Sequence, residues 1–309
     1  MAPPTPTCPK CAYDQSGEIT TWKTKCPLQG QCPECGLTFQ WFTVLNPDHT
    51  KLPWYTEHAP KLTATFKRTP TTLLRLILPP IFWRRLPVTA TITLPMLIKW
   101  CIALVLIAHL LASVCSGLGR WQAFDARLYK TFSAVFQNGA MSIIEICFNA
   151  LFAPLFTISG SAIGTPTIQW GSPYYEFREE YIATITLALG ASFLWQIIMT
   201  AIPTTRKIAK LRDAHILRAT ILSMTQIVLV FEMGRAIYGL DMYFFSRNTW
   251  ALILIIAITL LSFLWQLLFW PSAILATWKI RPAALLIILG SIASLLGAFT
   301  TSLLVMNLF

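Results

Sequence analysis

PTTRKIAKLRDAHILR, residues 203–218, is a short basic segment between two long apolar runs. It carries Arg206, Lys207, Lys210, Arg212 and Arg218 against a single acid, Asp213, and cytosolic loops of membrane proteins collect Lys and Arg in this way. The segment is therefore read as cytosolic. As a helix from Thr205 it sets Ile208, Leu211 and His215 on one face and Arg206, Lys210 and Asp213 on the other, the pattern of a helix lying on a membrane surface. With its side assigned, every apolar run before and after it acquires a direction.

Composition agrees with a membrane setting. The chain is 55% hydrophobic and 12% charged, with a mean hydropathy of +0.59. Its apolar runs reach the roughly 20 residues that a helical crossing needs. The net charge of +11 sits mostly before the first span and in loops. Membrane insertion accounts for that placement, so nucleic acid is not expected as a partner. Residues 1–20 are polar, Pro-rich and Cys-containing, with no apolar core of a secretory signal, which leaves the N-terminal region in the cytosol.

Four of the eight cysteines form two Cys-x-x-Cys pairs, CPKC at 8–11 and CPEC at 32–35. In a reducing compartment such pairs point to a metal rather than to disulfides. Two knuckles at this distance can set Cys8, Cys11, Cys32 and Cys35 tetrahedrally around one Zn2+ ion, a closed structural site with no position left for water. Gly36 lets the backbone turn so that amides face the sulfurs, and Leu37–Phe42 alternates like a strand. Cys26, six residues before Cys32, is read as a free thiol. Lys10, Lys23 and Lys25 are balanced by Asp14, Glu18 and Glu34, so the ribbon has no basic face for phosphates, and contact with a protein or plain anchoring is expected instead.

Residues 46–70 read as a Pro- and Thr-rich linker. From Lys61 to Lys99 there are seven Lys or Arg and no acid. Within this basic shoulder Leu73–Arg85 is too short to span. It is expected at the interface, with aromatics at headgroup depth and Arg75, Arg84 and Arg85 on anionic lipid headgroups of the bilayer, together with Arg206, Lys207 and Lys210 of the later loop. Spans are read at Leu97–Gly117, Tyr181–Ile202, Leu217–Leu240, Thr249–Trp270 and Ala283–Leu308. With the N-terminus inside, these five place every basic loop in the cytosol. A sixth apolar run, Met141–Gly164, would break that rule if it crossed. Ser142, Glu145 and Asn149 share one helical face there, which suits an interfacial or re-entrant helix.

The fold class is thus mainly α: a polytopic helical membrane bundle of five spans, six being the alternative, behind a small N-terminal β zinc ribbon. The divisions are 1–45 ribbon, 46–94 linker and basic interfacial shoulder, and 95–309 helical membrane domain. Ser192–Gln196 recurs as Ser262–Gln266, each copy followed by a proline and then basic residues, which reads as an internal repeat with Gln196 and Gln266 at equivalent depth. Glu232 and Arg235 are i, i+3 in one span and read as a local pair snorkelling at a helix end. His109 is the one histidine inside a span and reads as a packed polar residue.

CPKCAYD with CPECG, then PPIFWRRLP, then IPTTRKIAKLRDAHILRA after a span, together resemble the zinc-ribbon multispan membrane proteins common in planctomycete bacteria. The membrane part is similar in layout to the Yip family. That resemblance implies a bacterial inner membrane, a cytosolic N-terminus, five spans, an outward C-terminus and a link to membrane trafficking or shaping. Ala12 stands where the ribbon pattern usually has Gly. No catalytic motif is present: there is no His-Glu-x-x-His, no Gly-x-Ser-x-Gly and no phosphate loop. The expected function is a membrane scaffold or adaptor that presents the ribbon to a protein partner. The alternative is a transporter or channel subunit with Glu145, Gln196, Glu232, Arg235 and Gln266 lining a path.

Overall fold

The computed structural model describes residues 6–23, 25–128, 151, 157–159, 167–169, 178–201, 209–245, 249–280 and 283–306. The fold is mainly helical. Among the described residues, four helices hold segments long and apolar enough to cross a membrane: Leu94–Leu118, Asp213–Leu240, Ile256–Trp278 and Ala283–Thr301, with Ile185–Thr200 as a shorter apolar helix. Their sides carry exposed large apolar residues such as Leu111, Val114, Leu261 and Leu296. In water those side chains would be costly; in lipid they are at home, so the chain is an integral membrane protein.

The ribbon opens the chain. α1 (Ser16–Thr20) precedes an antiparallel hairpin of β1 (Gln29–Gln31) and β2 (Thr38–Gln40), with Gly30 opposite Phe39. Trp41 and Phe42, read as strand, instead begin α2 (Trp41–Leu45). Trp41 turns into the module's small core, where it meets Trp22 and Phe39 edge to face at 4.8 and 5.1 Å. A Cβ on Gly30 would lie 2.6 Å from the Trp41 indole nitrogen, so only glycine permits this packing.

The run read as a linker is built into the core. A 3-10 turn at Thr56–His58 buries Thr56, Glu57 and His58, and α3 (Leu62–Ile77) begins well before the expected end of the linker. Thr72 explains part of this: its hydroxyl donates to the Trp54 carbonyl at 3.0 Å and bonds the Thr56 hydroxyl at 2.7 Å, so α3 is stapled to the turn. α4 (Pro79–Arg85) starts on two prolines, which suit a first helical turn. Its Phe82 and Trp83 are buried, against the headgroup depth expected for them. They pack on Tyr55 and Phe269, at 5.8 and 5.2 Å respectively.

The long helices are α5 (Leu94–Leu128), α6 (Arg178–Ala201), α7 (Asp213–Phe245), α8 (Thr249–Ser272) and α9 (Ala283–Met306). After Pro271, α8 continues as a π turn, Ala273–Trp278, stopped by Lys279 in the left-handed region. Thr277 of that turn donates to the Trp83 carbonyl at 2.6 Å. Between α5 and α6, β3 (Thr157–Ser159) pairs antiparallel with β4 (Thr167–Gln169). The helix read over Met141–Gly164 is therefore corrected at Thr157–Ser159, which is strand rather than helix. Glu145 lies outside the described residues.

Compactness divides the chain into two units. One gathers Met1–Cys101, Ser192–Met224 and Trp265–Ser294; the other gathers Ile102–Ala191, Thr225–Leu264 and Leu295–Phe309. In the second, Ala188, Ile227, Phe231 and Ile258 form a buried core.

Candidate metal centre and buried ionic sites

Each cysteine knuckle folds the same way. The Cys8 amide donates to the Tyr13 carbonyl at 2.8 Å, and the Cys32 amide to the Leu37 carbonyl at 2.9 Å. The Ala12 and Gly36 amides return to the Cys8 and Cys32 carbonyls, both at 2.9 Å. Both turns need a left-handed residue, supplied by Gly36 at φ 67° and, at some steric cost, by Ala12 at φ 63°. Backbone amides then face the sulfurs, those of Lys10 and Cys11 toward Cys8 and those of Glu34 and Cys35 toward Cys32.

The result brings Cys8, Cys11, Cys32 and Cys35 together, their sulfurs all within 4.8 Å of one another. Cys8 and Cys35 stand 3.6 Å apart, as do Cys11 and Cys32. A tetrahedral ion with metal–sulfur bonds of about 2.3 Å has sulfur–sulfur edges of roughly 3.8 Å, so the four fit one metal ion. Buried Gln15 donates to the Cys32 sulfur at 3.4 Å, an outer hydrogen bond of the kind that orients a ligand. Burial pushes the Cys8 thiol far up and the Cys11 thiol up to about 11. Burial also raises Cys32, but the Cys35 and Glu34 amides and the neighbouring thiols outweigh it, and its net direction is down. Metal binding must therefore expel protons from Cys8 and Cys11, which makes it weaken with acid. Cys26 is exposed, donates to the Pro27 carbonyl at 3.4 Å and stands apart from the four.

The opening segment behaves differently from its sequence reading. The expected surface helix does not continue through Lys210, whose φ is 42°, and α7 begins at Asp213. Leu211, His215 and Arg218 are buried. The cause is the ribbon. The Arg212 amide donates to the Lys10 carbonyl and the His215 Nε2 to the Pro9 carbonyl, both at 2.8 Å, while the Lys210 ammonium pairs with Glu34 at 3.0 Å. The middle residues of both knuckles are thus gripped by 210–215, and Lys210 serves the ribbon rather than a membrane surface. Arg206 and Lys207 lie outside the described residues.

Arg218 runs into a buried web. Its Nη2 lies 2.9 Å from Glu57 Oε1 and donates to the Thr91 carbonyl at 2.6 Å. The Thr93 amide also donates to Glu57 Oε1, at 2.6 Å. His58 is fixed in one tautomer: the Leu52 amide donates to Nδ1, so Nε2 carries the proton and donates to Thr91, each at 2.7 Å. Burial holds the His58 pKa below its ordinary value and, with the nearby Glu57 charge, pushes the Tyr55 phenol well up. Sequence reasoning passed over this web. A signal existed: Glu57 is the one acid between Asp48 and Asp125.

Glu232 and Arg235 do pair locally, at 3.0 Å, but they do not snorkel. His109 Nδ1 lies 2.9 Å from Glu232 Oε1, and Arg235 Nη2 donates to the His109 carbonyl and to Ser113 Oγ, both at 2.9 Å. The histidine read as an isolated packed residue is the hub of an intramembrane cluster. The repeated segments are not equivalent in burial. Trp195 and Gln266 are buried, whereas Gln196 and Trp265 are half-buried, because each helix turns a different face inward. Arg84 and Arg85 are exposed, and the Arg75 guanidinium lies 4.2 Å over the Trp54 ring.

Comparison of the chain with protein-family models, with curated proteins and with solved structures finds no match.

Proposed function

We propose that this protein is a bacterial inner-membrane scaffold of five crossings, whose N-terminal cysteines hold one structural zinc on the cytosolic side and offer the ribbon to a protein partner. The observation that carries the reading is the grip of residues 210–215 on both knuckles. It requires the ribbon and this basic segment to share a side of the membrane. An even number of crossings then separates them, which α5 and α6 supply and a crossing at Met141–Gly164 would spoil. Positive charge argues that the shared side is the cytosol. Four thiolates close the coordination sphere, a structural arrangement. With its knuckles occupied by its own chain, the ribbon keeps Tyr13 and Leu28 exposed for a partner.

The test uses a background lacking Cys26, Cys101, Cys115 and Cys147, with one new cysteine at Thr205 or at Phe309. Phe309 should react with an impermeant thiol reagent outside intact cells and Thr205 should not. Labelling at Thr205 with protection at Phe309 overturns the topology. Metal analysis should find one zinc per chain, lost in Cys32→Ala; a tightly held zinc in that variant refutes the ligand set. A partner recovered by pull-down in the native chain but not in Leu28→Asp supports the scaffold.

A transporter is the second reading, favoured by the His109–Glu232–Arg235 cluster, since ionisable groups in spans mark pathways. Solute flux in liposomes that disappears in Glu232→Ala would select it.

A further inference from the structure

We infer that the protein senses the occupancy of its own metal centre: metal held by the four cysteines is coupled to the anchoring of the start of α7, and its loss frees residues 210–215; this rests on the zinc reading above.

The sending side is the ribbon. Its buried core consists of Cys8, Cys32, Phe39 and Trp41, with Cys11 and Cys35 packed against it. All four ligands therefore belong to the packing, and stripped of metal so small a module has too little apolar surface to keep its shape. The knuckle turns are lost with it, including left-handed Ala12, a conformation that alanine keeps only where its surroundings impose it. Pro9 and Lys10 lie between Cys8 and Cys11, and Glu34 lies between Cys32 and Cys35. The groups these three residues present are thus set by the metal-held turns.

The receiving side uses those same groups. The Arg212 amide donates to the Lys10 carbonyl and His215 Nε2 to the Pro9 carbonyl, both at 2.8 Å. The Lys210 ammonium pairs with the Glu34 carboxylate at 3.0 Å and donates to the Glu34 carbonyl. Lys210 itself is held at φ 42°, a left-handed lysine that the ribbon contacts keep in place. His215 is buried, so its Nε2 deprived of Pro9 would be a donor left dry. One turn along the same helix face Arg218 meets Glu57 and the Thr91 carbonyl. The start of α7 is therefore held at two successive points. Only the first is made of metal-held turns, so stripping the metal releases 210–215 and leaves Arg218 in its lock.

The experiment follows hydrogen–deuterium exchange in the full-length, detergent-solubilised protein, first zinc-loaded, then stripped with a chelator, then with Zn2+ restored. Exchange in peptides spanning 209–216 should rise at least fivefold on stripping and return with Zn2+, while peptides of α9 stay unchanged. Linkage makes the coupling reciprocal, so loosening the grip must weaken metal binding. Zinc affinity, measured by chelator competition, should fall roughly fivefold in His215→Ala, the worth of one net hydrogen bond. Lys210→Glu, at an exposed position that does not endanger folding, should lower it by about two- to threefold. Arg212→Ala keeps the amide that makes the bond and should leave the affinity nearly unchanged. If stripping opens the ribbon peptides at 28–45 but not those at 209–216, or if Lys210→Glu binds zinc like the native chain, the coupling is overturned and the zinc reading stands. A rise that extends equally to α9 is general unfolding and also overturns it. Native protein that holds no zinc on metal analysis sinks the zinc reading and the coupling together.

Discussion

Glu57–Arg218 and Glu232–Arg235 are chemically the same ion pair, and they are built in opposite ways. The first joins residues 161 apart and is sealed, with side-chain exposures of 0% and 2%. Its further bonds run to main chain, from the Thr93 amide and to the Thr91 carbonyl. The second joins neighbouring turns of one helix, with exposures of 13% and 7%, and its further partners include two side chains, His109 and Ser113. Main-chain partners cannot change rotamer, so the first arrangement is a rigid lock. Side-chain partners can. The first is suited to holding the start of α7 to the 3-10 turn and to the approach to α5; the second is suited to rearrangement.

If that contrast is right, the largest effect comes from breaking the lock. Arg218→Ala leaves Glu57 charged in a sealed site and should cost about 3–5 kcal/mol, read by thermal unfolding in detergent. Pairing Glu57→Gln with Arg218→Met should recover much of the loss. If the single variant is milder than the double, the lock is not a lock.

In the open cluster, Ser113→Ala and Glu232→Gln should each cost only about 1 kcal/mol, the scale of interhelical polar bonds in membranes. A loss as large as that of Arg218→Ala would erase the distinction. The ribbon offers a check of similar size and opposite sign. Ala12→Gly relieves a left-handed alanine at φ 63° and should stabilise the metal-loaded ribbon by about 0.5–1 kcal/mol, read as slower zinc loss to a chelator.

The smallest expected effect is pH dependence in the lock. His58 has a folded pKa below its unfolded value of about 6.5, so the unfolded chain binds the proton first. Stability is therefore full above about pH 6.5 and declines as pH falls from there toward the lowered folded value. His58→Gln should flatten that part of the unfolding profile. An unchanged acid slope in the variant would assign it to other groups.

The cysteine spacing already contained the metal site, because a knuckle is local: five residues and one left-handed turn set two sulfurs, and the second copy does the same. Helix length and apolarity are equally local, which is why the apolar segment of α5, Leu94–Leu118, and the helices α7 to α9 could be read within a few residues of their ends, although α5 itself runs on to Leu128. Polar partners across the chain could not. Lys210, Leu211 and His215 have the period of a surface helix, yet the knuckle carbonyls of Pro9 and Lys10 claim the main chain and His215, and Lys210 meets Glu34 at a left-handed φ. The Leu73–Arg85 run likewise has interfacial composition, but Phe82 and Trp83 gain more by packing on Tyr55 and Phe269 than by sitting among headgroups.

What the amino-acid order determined by itself was which residues could bind metal and which stretches could enter lipid, since both depend on chemistry and period within a few turns. What only the tertiary structure decided was where the charges go. Arg218 has the same sequence credentials as Arg212, and it alone meets Glu57, because burying a charge requires a partner at hydrogen-bonding distance and that distance is set by packing across 161 residues of chain.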